Sequence, residues 1–206
     1  MVLLRRLTSV YDLRVPDPST TLDALRRRDD AALRRVVEAN TRKLYRAARG
    51  MGHSNEEADD LVQEVFLTFM SSLDRFEGRS AVSTWLYGIL LRKVQERRRE
   101  ATRERTHDPI DEAWEANFTA DGMWLRKPVD AESALTASQI GEAIRGCMDG
   151  LPAPARDVFV LRQIEGLSAE EVRNILHLTI THIGVLLHRA RLRMRACLDG
   201  KGWRTS

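Results

Sequence analysis

The stretch SNEEADDLVQEVFLTFMSSL, residues 54–73, limits the fold more than any other part of the chain. Ser54 followed by Glu57 is a capping box, the signature of a helix start. Behind it Ala58, Leu61, Val62, Val65, Phe69 and Leu73 recur with a period near 3.6 residues, leaving Asp59, Asp60, Gln63 and Glu64 on the opposite side. Such a helix must bury one face against other elements. The same grammar recurs along the chain. Asp30 is placed to cap a segment carrying Leu33, Val36, Val37, Leu44 and Ala48, ended by Gly50 and Gly52. Ser83 or Thr84 opens another with Trp85, Leu86, Ile89, Leu90 and Val94. No strand-like alternation competes with these stripes, so the expected fold is all-α.

The periodicity fails from about Thr106 to Ala137, a segment that contains Pro109 and Pro128. It then resumes: Ile140, Ala143, Ile144, Cys147 and Leu151 up to Pro152, then Val158, Leu161 and Ile164 behind Pro154 up to Gly166. Two small helical domains are therefore expected, over 20–106 and 138–200, joined by a flexible linker over 107–137. Charge follows the same division. The run RKVQERRREATRER, residues 92–105, is basic; the linker is acidic; the chain is basic again after Leu187. Basic modules around an acidic segment suit polyanion partners, against the plain alternative of three solvated surfaces.

A charged fraction of 31% beside 43% hydrophobic residues describes an ordinary soluble chain of 206 residues. No apolar run approaches the roughly 20 residues of a membrane span, and arginines interrupt the first residues, so a cytoplasmic protein without membrane insertion is expected. Cys147 and Cys197 lie far apart with no CxxC pair, which argues against a disulfide or a zinc module. His177, His182 and His188 share no helix face, and no hydrolase or phosphate-loop signature accompanies them. No metal, cofactor, catalytic residue or small-molecule substrate is expected.

Near the C-terminus, Ser168 with Glu171 caps a short helix bearing Val172, Ile175 and Leu176. A turn over His177–Ile180 leads into a longer basic helix. This is the spacing of a helix-turn-helix, whose second helix enters the major groove. In that helix Ile183, Leu187, Ala190 and Met194 form the core face, and His182, Val185, Arg189 and Arg193 the candidate DNA face. Arg191 and Arg195 lie off it.

Two segments now resemble a known family. LPAPARDVFVLRQIEGLSAEEVRNILHLTITHIGVLLHRARLRMRACL resembles region 4 of sigma factors, and ADDLVQEVFLTFMSSLDRFEGRSAVSTWLYGIL resembles their region 2. Having these two modules alone is the arrangement of the extracytoplasmic-function (ECF) class, and DGMWLRKP in the linker resembles a motif of one ECF subgroup. The resemblance implies a non-enzymatic transcription initiation factor that binds core RNA polymerase through the β′ clamp helices and the β flap, reads promoter DNA, and is held by an anti-sigma partner. It assigns polymerase binding to Asp59, Asp60, Leu61, Gln63, Glu64 and Phe66. It assigns the melted −10 element to Phe76, Gly78, Arg79, Ser80, Ser83, Thr84, Trp85, Arg92, Lys93, Glu96 and Arg99, with Arg97 and Arg98 extending the cationic groove. The −35 duplex falls to Thr181, His182, Gly184, Val185, His188 and Arg189, with Arg173 as a phosphate contact. The linker is expected to thread the polymerase channel.

The chain departs from relatives where Arg92 and Glu96 replace an Asn and an Asp or Asn, and where Gly184 and Leu186 replace cationic residues. The competing reading is a stand-alone helix-turn-helix regulator, against which the region 2 block argues.

Overall fold

A computed structural model describes residues 22–104 and 137–202, which form helices without a strand among them. The linker expected over 107–137, with its DGMWLRKP piece, lies outside the described residues except for Ala137, which starts α5; the N-terminal residues lie outside them too. The first group comprises α1 (Leu22–Arg26), α2 (Asp30–Gly50), α3 (Asn55–Ser71), a 3-10 turn (Leu73–Arg75) and α4 (Val82–Glu104). The second comprises α5 (Ala137–Asp149), α6 (Ala153–Phe159), which runs into a π-helical turn (Val160–Ile164), α7 (Ala169–Leu176) and α8 (Ile180–Gly200).

Local signals account for most boundaries. The Ser54–Glu57 box opens α3 and the Ser168–Glu171 box opens α7, each with both reciprocal hydrogen bonds formed. Asp29, and not Asp30, caps α2: its carboxylate accepts from the Ala32 N–H at 2.8 Å. Neither Ser83 nor Thr84 is a cap, because α4 already starts at Val82 and both lie in its first turn. Pro154 occupies the first turn of α6, where its missing N–H costs nothing.

The apolar stripes meet as expected. Leu61, Val65, Phe69 and Leu73 are essentially inaccessible, as are Leu86, Leu90 and Val94 across from them. In the second group Ile183, Leu187, Ala190 and Met194 turn inward from α8. The two groups share one continuous apolar cluster. Gly50, the last residue of α2, makes the close approach possible: a Cβ there would lie 2.9 Å from Val160 Cγ2 and 3.3 Å from Met148 Cε.

The cysteines correct the sequence reading. Cys147 on α5 and Cys197 on α8 form a disulfide with Cα atoms 5.7 Å apart. Separation along the chain said nothing about this, because α5 and α8 are the first and last helices of the second group and pack side by side. Closing a 50-residue loop restricts the unfolded chain. Reduction, or Cys147→Ser with Cys197→Ser, should lower unfolding free energy by up to about 4 kcal/mol. Urea unfolding with and without a dithiol measures it, and the double variant should no longer respond to the dithiol.

Candidate polymerase and nucleic-acid interface

The face of α3 turned away from the core carries Asp59, Asp60 and Gln63, all exposed. Glu64 is half-exposed and already engaged: Arg97 Nη2 donates to it at 2.6 Å and Lys93 Nζ lies 3.6 Å away. Leu61 and Phe66, expected on this face, belong instead to the core, with 0% and 7% exposure. Helical geometry dictates this, since both fall on the stripe with Val62, Val65 and Phe69. The apolar residue that does lie on this exposed face is Leu67, 67% exposed and one turn beyond Gln63. The available signal was an apolar residue lying off the stripe. The corrected face is Asp59, Asp60, Gln63, Glu64 and Leu67.

The loop from Phe76 into α4 is built on aromatic packing. Phe76 stacks on Trp85 with centroids 4.6 Å apart, and Trp85 meets Phe69 edge-on at 5.4 Å. Phe76 is buried and its carbonyl accepts from Arg26 Nη2 at 3.1 Å. These rings form the floor of the loop, not free platforms for a base. Above them Gly78, Arg79 and Ser80 are exposed and Ser83 is half-buried. Gly78 has φ 73°, a left-handed conformation, and a Cβ there would meet Leu22 Cδ2 at 2.8 Å.

Thr84 is not open to a ligand. It is 5% exposed and its hydroxyl donates to Glu171 Oε1 of α7 at 2.7 Å. The cations along α4 divide similarly. Arg92 and Arg99 are exposed. Lys93 lies 3.5 Å from Glu96 and close to Glu64. Arg98 forms two hydrogen bonds to Asp157 of α6, at 2.7 and 2.9 Å, and a third to the Met51 carbonyl.

The second group presents a helix-turn-helix. α7 ends at His177, held in the left-handed region with φ 55°. The Thr179 hydroxyl then caps α8 by accepting from the His182 N–H. Thr181, His182, Gly184, Val185, His188 and Arg189 are all exposed on α8. Arg173 on α7 is exposed and pairs with Glu170 at 3.0 Å. Beside it, Asn174, His177, Leu178, Thr179 and Ile180 line an open depression of about 660 Å³. Asn174 carried no periodic signal in the sequence. Arg191 bonds to Gln163 at 3.1 and 2.8 Å, and Arg195 lies 3.9 Å from Asp199, so both serve the module's own surface. Arg193 is half-buried, and burial together with the Arg189 charge lowers its pKa below the ordinary arginine value. Among the described residues no group of His, Cys, Asp or Glu is placed to hold a metal, and no helix is long and apolar enough to cross a membrane.

Comparison with known proteins matches residues 36–104 to the family model "Sigma-70 region 2" and residues 141–194 to "Sigma-70, region 4". A Haemophilus influenzae protein named "Probable RNA polymerase sigma factor" is 31% identical, covering 70% of this chain and 78% of the relative. The ECF RNA polymerase sigma factor SigD of Mycobacterium tuberculosis is also 31% identical, over 81% of this chain and 77% of its own. Among solved structures, the fold is similar to sigma factor RpoE of Bartonella quintana, solved with the anti-sigma factor NepR. The TM-score is 0.61 at 22% identity, covering 81% of this chain and 96% of that one.

Glu171 links the seam between the groups to pH. Burial pushes the Glu171 carboxyl up, but hydrogen bonds from Ser168 N–H, the Thr84 hydroxyl and the Ser168 hydroxyl outweigh it, leaving a pKa below the ordinary 4.5. A depressed carboxyl stabilises the fold fully above its unfolded pKa, and the contribution disappears as pH falls through the lower folded value. Stability should therefore drop as pH falls below about 4.5. Thr84→Val should cost about 1–2 kcal/mol at neutral pH and flatten that acid limb, both readable from denaturant curves across pH.

Proposed function

This chain belongs to the extracytoplasmic-function class of RNA polymerase sigma factors, and we propose that it initiates transcription by dividing promoter reading between its two helical groups. In this reading residues 20–106 act as region 2, residues 138–200 as region 4, and 107–137 as the linker between them. α3 offers Asp59, Asp60, Gln63, Glu64 and Leu67 to the β′ clamp helices of core polymerase. An acidic rim around one exposed leucine suits a basic helical partner, with the charges steering encounter and the leucine supplying apolar burial.

The observation that carries the −35 assignment is the exposure of Thr181, His182, Gly184, Val185, His188 and Arg189 on α8 while its opposite face is buried. A helix-turn-helix places such N-terminal residues at base edges in the major groove. Arg189 and His188 are its donors for base edges, and Arg173 positions the module on phosphate. Gly184 leaves the helix surface low between His182 and His188, so contacts there come from its neighbours.

For the −10 element, Gly78, Arg79, Ser80 and Ser83 line the approach, and Arg92 and Arg99 attract the strand, while Thr84 is committed to Glu171. Phe76 and Trp85 fix the loop's shape from below. Arg92, in place of a small amide, puts a cationic donor beside an extruded base and so favours base edges rich in acceptors. A protein partner of the anti-sigma type fits a sigma factor of this fold, and the site of action is the cytoplasm with the polymerase. A stand-alone helix-turn-helix regulator is disfavoured, because it leaves the first group without a role.

Three expected outcomes test this reading. Purified chain added to core polymerase should give discrete start sites on genomic DNA sharing one −35 and −10 pair. The absence of any promoter-dependent start defeats the proposal. Arg189→Ala should weaken transcription from those promoters by about 5- to 150-fold, as expected for one base contact of about 1–3 kcal/mol. Leu67→Asp should reduce core polymerase binding while leaving the unfolding midpoint unchanged, because the side chain is already in water.

A further inference from the structure

Gly184 is a glycine that nothing inside the molecule requires. It lies within the first turns of α8, where glycine destabilises a helix relative to alanine. It does not adopt a left-handed conformation. A Cβ placed on it would meet no heavy atom of the described residues within 4 Å, whereas one on Gly50 would strike Val160. Neither a turn nor packing accounts for it. A glycine in that position suits a close approach to the helix backbone from outside the chain.

The next residue, Val185, is 43% exposed. Thr181 is exposed one turn before it, and His188 and Arg189 about one turn after. No acidic residue occurs between Ile180 and Leu198, so this part of α8 carries nothing that repels a polyanion. Exposed apolar surface here therefore sits on the helix end that a helix-turn-helix turns into the major groove, with a cation beside it.

Base edges in the major groove offer hydrogen-bond donors, acceptors and one apolar group, the C5 methyl of thymine. Valine has no hydrogen-bonding group. Pressed on a cytosine amine or a guanine oxygen it would strip water and return no partner, which is unfavourable. Pressed on a thymine methyl it removes two apolar surfaces from water. The missing side chain at Gly184 leaves space beside Val185 for that methyl to enter. We propose that Gly184 and Val185 form an apolar notch on α8 that reads the C5 methyl group of a thymine in the −35 element. Arg189 lies about 6 Å further along the axis, at about 1.5 Å per residue. With base pairs spaced about 3.4 Å apart, the thymine lies one or two base pairs from the base that Arg189 reads. Where relatives place a cation, this chain reads a methyl group.

The proposal rests on the assignment of α8 to the −35 duplex. Its test uses the full chain with core polymerase on the promoters found by start-site mapping. Each −35 thymine is replaced singly by deoxyuridine, which keeps every hydrogen-bonding group and lacks the methyl. With the parent chain one replacement should lower initiation at subsaturating polymerase by about 4-fold, the worth of one buried methyl group. That ratio should hold at low and high salt, although overall binding weakens as salt rises. Val185→Ala and Gly184→Ala should each initiate equally well on the two templates, closing a cycle between residue and methyl. Leu192→Ala, exposed on the same helix two turns further on, should discriminate as the parent does. Gly184→Ala should also raise the unfolding midpoint, a gain in stability with a loss of reading that a merely structural glycine does not produce.

Starts that ignore every deoxyuridine, or a −35 element without thymine, overturn the methyl reading and leave the sigma-factor reading standing. Discrimination that survives in Val185→Ala gives the methyl to another residue and overturns the notch. No promoter-dependent start with the parent chain defeats both readings together.

Discussion

A carboxylate removed from water must be matched, and Asp157 is matched by a guanidinium from the other half of the molecule. The architecture hangs on that requirement. Arg98 is aimed at Asp157 because α4 runs long enough to pass Met51, whose carbonyl takes a further hydrogen bond from the same guanidinium. Met51 lies there because α2 ends at Gly50, where the absence of a side chain lets Val160 and Met148 come close.

The same economy of charge explains the surface of α3 and α4. Glu64 stands between Lys93 and Arg97, so part of the basic run on α4 is neutralised within the first group. With Arg98 committed to the seam, Arg92 and Arg99 are the exposed cations of the stretch among the described residues. A run that reads as one basic patch in sequence thus contains a network to Glu64 of α3, an interface anchor and an exposed cationic pair. Surface pairs of this kind are individually weak, so the network's main effect is to decide which charges remain available to a partner.

The helices and both capping boxes were legible because their causes are local: a cap three residues before its partner, an apolar stripe of period 3.6. The exposed face of α8 was legible for the same reason, since burial of Ile183, Leu187, Ala190 and Met194 fixes what points outward. Leu61 and Phe66 were misassigned where the family pattern was followed over the stripe that already placed them inside. The disulfide, the burial of Thr84 and the Arg46–Glu165 and Arg98–Asp157 pairs were not legible. Each joins residues 50 or more positions apart, and no local rule records which helices will lie together.

That difference between local and distant causes bears on how the molecule comes apart. The Cys147–Cys197 bond ties the first helix of the second group to its last, so α5 to α8 remain one unit when the seam separates. α2, α3 and α4 are held by fully buried side chains such as Leu44, Leu61, Phe69 and Leu90, whose exposure would each cost about 1.5–3 kcal/mol. The seam adds polar anchors to its share of the apolar cluster: a glycine contact, two hydroxyls and two guanidinium–carboxylate pairs whose arginine ends are partly hydrated. Separation at the seam breaks these polar anchors while the disulfide-tied second group and the buried interior of the first stay in place.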